Sequence, residues 1–88
     1  MLNIDLDDFK IINDVFGHHE GDKVLRLFAM KLENVFDGKG VSLRLGGDEF
    51  VVLINENQKE IVEKYIKTLE NNINAYNEIG DVPYRIKF

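Results

Sequence analysis

Residues 41–54 read Val-Ser-Leu-Arg-Leu-Gly-Gly-Asp-Glu-Phe-Val-Val-Leu-Ile, and this stretch decides the fold. Val41, Leu43 and Leu45 alternate with Ser42 and Arg44, the pattern of a strand with one wet face. Gly46, Gly47 and Asp48 supply the chemistry of a tight turn. Residues 49–54 are then apolar almost throughout, as expected of a strand covered on both faces. The stretch therefore predicts a β-hairpin. Its turn also carries two adjacent carboxylates, Asp48 and Glu49, which a turn alone does not need.

Working outward, Leu2 to Leu6 is short and apolar and leads into acids, which predicts an opening strand. Phe9 to Val15 predicts a short helix. Gly17 and Gly21 bracket His18-His19-Glu20, which reads as a loop, and Asp22 then suits the start of a second helix. In that helix Val24, Leu25, Phe28, Leu32, Val35 and Phe36 recur at helical spacing. Asp37-Gly38-Lys39-Gly40 is a stop and turn. Beyond the hairpin, Ile61, Val62, Tyr65, Ile66, Leu69, Ile73 and Tyr76 form the apolar stripe of a long helix. Gly80 to Pro83 breaks it, and Tyr84-Arg85-Ile86-Lys87-Phe88 alternates as a final strand. The order β-α-α-β-β-α-β predicts an α+β fold, a ferredoxin-like antiparallel sheet with helices packed on it.

Eighty-eight residues allow one domain with a single core. With 44% hydrophobic residues, the chain has enough apolar surface to fold. The absence of cysteine rules out disulfides and thiolate metal sites and fits a reducing, cytoplasmic setting. No apolar run reaches the roughly 18 residues of a membrane span, and no signal-peptide pattern opens the chain. Residues 1–22 hold Asp5, Asp7, Asp8, Asp14, Glu20 and Asp22 against Lys10 alone, whereas the remainder is balanced. So local an acidic excess repels a phosphate backbone and argues against nucleic acid as a partner. It suits a hard cation instead.

In this topology the first strand and the second hairpin strand lie side by side, which brings Asp5 close to Asp48. Each acid taken singly fits a solvated turn or cap. Together they converge at one sheet edge, where carboxylates repel unless a cation lies between them. Mg²⁺ takes a few carboxylates plus substrate phosphates. Lys10 falls in the first turn of the short helix, where free backbone N–H groups favour an anion such as a triphosphate. As a surface lysine it needs no such role. Asn13 and Asp22 have the donors and acceptors to read guanine, whose N1–H and N2 amine lie side by side. They serve equally well as helix caps. His18 and His19 are adjacent and have no third nitrogen or sulfur ligand nearby, so they do not make a zinc site.

Three blocks together resemble the GGDEF domain of diguanylate cyclases: Asp5-Leu6-Asp7-Asp8-Phe9-Lys10-Ile11-Ile12-Asn13-Asp14, Gly17-His18-His19-Glu20-Gly21-Asp22, and Arg44-Leu45-Gly46-Gly47-Asp48-Glu49-Phe50. The resemblance covers essentially all of residues 1–88 as a single domain core, and it implies a palm-like sheet. It implies condensation of two GTP into cyclic di-GMP with release of two pyrophosphates. It further implies that Asp5, Asp48 and the Leu6 carbonyl hold Mg²⁺, or Mn²⁺ in its place. Asp8, Phe9 and Lys10 would hold the phosphates, and Asn13 and Asp22 would recognise guanine. Asp48 would help deprotonate the attacking hydroxyl, with Glu49 supporting the metal site and Gly46 and Gly47 forming the turn. A second GGDEF domain is implied as the partner in catalysis, and a sensory or regulatory domain elsewhere in the full protein.

Three departures bear on these expectations. Asp37-Gly38-Lys39-Gly40 does not match the arginine-x-x-aspartate arrangement of the family's inhibitory product site. The family's lead-in helix is absent, and so are its C-terminal strand, helix and basic segment, so both ends of the chain read as cut. A catalytically silent GTP-binding or signalling-interaction module is the alternative these missing segments favour.

Overall fold

The computed structural model describes residues 2–54, 58–80 and 82–88; Met1 of the opening segment and Asp81 of the expected break lie outside them. In chain order the elements are β1 (Leu2–Asp5), α1 (Phe9–Phe16), α2 (His18–Phe36), β2 (Gly40–Gly46), β3 (Glu49–Ile54) and α3 (Lys59–Ile79). The three strands form one antiparallel sheet in the order β1-β3-β2. The hairpin strand β3 therefore sits in the middle, beside β1 as expected.

Directly opposed residues of an antiparallel pair share a face. Ile4 opposes Phe50, and Leu2 opposes Val52. Ile4, Phe50 and Val52 are buried on the face that meets the helices. There the Phe28 ring of α2 lies 5.1 Å from that of Phe50 and 5.4 Å from that of Phe88. Phe28, Leu32, Phe36, Leu69 and Ile73 complete this core with almost no exposure. Each such side chain contributes about 2–3 kcal/mol of burial.

The opposite face corrects the reading of the hairpin. Val41 pairs with Leu53 and Leu43 with Val51, so these apolar residues share the face turned away from the helices. Val41, Leu43 and Leu53 are about half exposed, while Ser42 points to the helix side and is less so. The exposed face of β2 is thus its apolar one. Cover on both faces applies only to the centre of β3, residues 50–52.

The expected loop at His18-His19-Glu20 is the first turn of α2, and Asp22 lies inside that helix rather than opening it. Gly17 alone separates the two helices. Its φ of 95° and ψ of 161° suit only glycine. Its N–H closes α1 on Asn13 O at 2.9 Å, and its own carbonyl receives the Gly21 N–H at 3.1 Å. One residue thus joins the two helices, and no longer loop is required.

The expected final strand does not form: residues 84–88 make no ladder. Both backbone groups of Ile86 go instead to the buried side chain of Asn77. Asn77 Nδ2 donates to Ile86 O at 2.7 Å, and Ile86 N–H donates to Asn77 Oδ1 at 2.8 Å. The backbone bond from Asp7 N–H to Lys87 O, at 2.9 Å, links this segment to the exit of β1. Asn77 thus takes the place of a neighbouring strand.

Candidate active site

The hairpin closes on the pair Gly46–Glu49, which leaves Gly47 and Asp48 as a two-residue turn. Gly47 has φ 39°, as the first residue of such a turn favours. The register shifts between Arg44 and Gly46, so Leu45 is an extra residue in the strand. Bulges of this kind re-aim a strand end. The Arg44 side chain closes the turn, its Nε donating to Gly47 O at 3.1 Å. The sequence placed Arg44 in the strand alternation and in the third block without giving it a role of its own; its position three residues before Gly47 was the available signal.

The end of β1 meets this turn. Asp5 lies directly opposite Glu49, and the Leu6 N–H donates to Asp48 O at 3.1 Å. Asp5, Leu6, Asp48 and Glu49, from sequence blocks more than forty residues apart, are therefore brought to one corner of the sheet. Beside them on the open sheet face is a concavity of about 420 Å³ bordered by Asn3, Asp5, Leu45 and Glu49. Asp5 and Glu49 are exposed and Asp48 is half-buried. Among the described residues, no three His, Cys, Asp or Glu side chains form a group that could hold a metal ion by themselves.

Past β1 the chain is pinned by buried Leu6 and Phe9, with Asp7 and Asp8 exposed between them. Asp8 precedes α1 in the left-handed conformation, φ 59° and ψ 20°, and its side chain caps no helix amide. Its carbonyl takes the Ile12 N–H at 3.1 Å. Phe9 is in the core, while Lys10 is exposed in the first helical turn. The connector presents N–H groups and an ammonium together, an arrangement that suits an anion.

Asn13, half-buried on α1, packs against Gly21 of α2, and Asp22 is the next residue along. Of the two residues expected to read a base, Asn13 thus lies at the helix–helix contact, and Asp22 is exposed directly after Gly21 in sequence. His18 and His19 are exposed in the first turn of α2. No described helix is long and apolar enough to cross a membrane.

The chain matches the family described as "Diguanylate cyclase, GGDEF domain" over residues 1–86. It is 38% identical to the diguanylate cyclase DgcP of Escherichia coli (strain K12) over 79 residues, which is 90% of this chain and 23% of that protein. Against the response regulator PleD of Caulobacter vibrioides (strain NA1000 / CB15N), identity is 51% over 53 residues, 60% of this chain and 12% of that one. The active GGEEF domain of a diguanylate cyclase from Vibrio cholerae superposes with a TM-score of 0.77 at 28% identity. That match covers 96% of this chain and 53% of the other, so the chain spans about half of that solved domain and a quarter or less of these two curated relatives. The chain belongs to the diguanylate cyclase GGDEF domain family.

Proposed function

We propose that this domain binds GTP and, paired face to face with a second copy, condenses two GTP molecules into cyclic di-GMP. The observation that carries the reading is the corner where Asp5 opposes Glu49 and Leu6 is hydrogen-bonded to Asp48. It unites the acids of two distant sequence blocks beside an anion-favouring connector.

The donor set at this corner fits a hard cation. Asp5 and Asp48 supply carboxylates, and Leu6, held at the same corner by its bond to Asp48 O, supplies a backbone carbonyl. Two carboxylates and one carbonyl are the oxygen ligands that Mg²⁺ or Mn²⁺ takes alongside substrate phosphates. When bound, such an ion offsets the negative charge of the triphosphate and lowers the cost of forming an alkoxide.

The chain's own residues then mainly position the reactants. The amides around Asp8 and Phe9 and the Lys10 ammonium hold the phosphates, while Asn13 and Asp22 hold the base. In each half-reaction the 3′-oxygen of one GTP forms a bond to the α-phosphorus of the other. The bond from that phosphorus to the β-phosphate bridge oxygen breaks, and pyrophosphate leaves. The 3′-hydroxyl proton passes to Asp48. One domain holds one nucleotide, so two domains must meet for turnover.

The test incubates the chain with GTP and Mg²⁺, alone and fused to a dimerising partner. Product is expected from the fusion and lost by about 10²-fold or more in Asp48→Ala. That substitution spares the Asp48 backbone oxygen, which is what Leu6 binds. GTP binding with no product under forced dimerisation would replace this reading with that of a silent GTP-binding module.

A further inference from the structure

We infer that Gly21 is a specificity-determining positioning residue: its missing side chain is the space in which the Asn13 carboxamide sits. The inference rests on the guanine-reading role proposed for Asn13 and Asp22. Gly21 is buried inside α2, where glycine is among the poorest helix formers. Its φ is not in the left-handed region, so backbone conformation does not call for glycine there. What calls for it is space. A Cβ built on Gly21 would overlap Asn13 Oδ1, would lie 2.8 Å from Asn13 Cγ, and would come within 3.4 Å of Phe9 Cζ.

Asn13 belongs to the proposed nucleotide site, and Asp22 follows Gly21 directly. Among the described residues, no side-chain hydrogen bond holds the Asn13 amide. Its position is therefore set by packing on the bare backbone of Gly21, the residue directly before Asp22. The atom in the way of a new methyl is the end of a side chain that can rotate. An alanine at residue 21 therefore leaves the helices able to pack but turns the amide away. The consequence falls on recognition of the base, with little effect on folding.

The experiment measures GTP and ATP binding by calorimetry with Mg²⁺ for wild type, Gly21→Ala, Asn13→Ala and the double variant. Wild type is expected to prefer GTP. Gly21→Ala should weaken GTP by about tenfold, the scale of one well-placed hydrogen bond, and leave ATP unchanged. Because Gly21 acts through Asn13, Gly21→Ala should cost nothing further in the Asn13→Ala background. Equal losses of GTP affinity in both backgrounds, or an unchanged GTP:ATP ratio in Gly21→Ala, would overturn the inference. So would a fall in Tm of more than roughly 10 °C, since the overlap would then be structural. A wild-type chain with no preference for GTP would instead sink the guanine assignment beneath it.

Discussion

Replacing Asn77 by alanine removes both hydrogen bonds that hold the C-terminal segment to α3. The side chain is 9% exposed, and its partner Ile86 is 2% exposed. The two bonds, at 2.7 and 2.8 Å, use the donor and the acceptor of one amide on the N–H and C=O of one residue. Each bond contributes about 1–1.5 kcal/mol net, and Ile86 would keep two buried groups unpaired. The expected loss is therefore about 3 kcal/mol. For a domain of this size that lowers Tm by roughly 12–24 °C. Urea denaturation followed by circular dichroism reads the free energy directly, and the slope should stay constant if only native contacts are lost. Asn77→Asp sharpens the test. It keeps the acceptor for the Ile86 N–H but faces the Ile86 carbonyl with an oxygen. At neutral pH it should be no more stable than Asn77→Ala. Stability should recover as pH falls toward about 4, where a protonated carboxyl can donate. A loss below about 1 kcal/mol in Asn77→Ala, or no acid recovery in Asn77→Asp, would refute the idea that this amide anchors the segment.

Two further substitutions test the fold. A Cβ at Gly40 would lie 2.5 Å from Leu53 O and 3.3 Å from Ile54 Cα, so Gly40→Ala collides with the backbone of its own paired strand. It should cost about 2 kcal/mol or more, read as a lower urea midpoint. The Tyr84 hydroxyl is buried without a hydrogen-bond partner among the described residues, so Tyr84→Phe should hold or slightly raise Tm. Burial, followed by the nearby Glu20 and Tyr76, raises the Tyr84 pKa above its ordinary value. The unfolded phenol therefore ionises first, and its contribution to stability is complete below about pH 10 and declines above it. Tyr84→Phe should flatten that alkaline decline, and an unchanged slope would exclude Tyr84 as its source.

Much of this architecture was legible in local pattern. Helical spacing in Val24, Leu25, Phe28, Leu32, Val35 and Phe36 named residues that are all buried. The glycine-acid turn marked the hairpin, and strand order alone predicted that Asp5 would approach Asp48. These features depend on side-chain periodicity and turn chemistry, which are properties of neighbouring residues. Tertiary contacts decided the rest. Whether Gly21 closes a loop or admits an amide depends on where α1 lies, which no window around Gly21 contains. Whether residues 84–88 form a strand depends on which group meets the Ile86 backbone, and that group is a side chain nine residues away. The alternation in β2 showed that one face would be apolar, but only pairing with β3 decided that this face points away from the helices. Periodicity determines which residues share a face, whereas the direction that face takes is set by what packs against it.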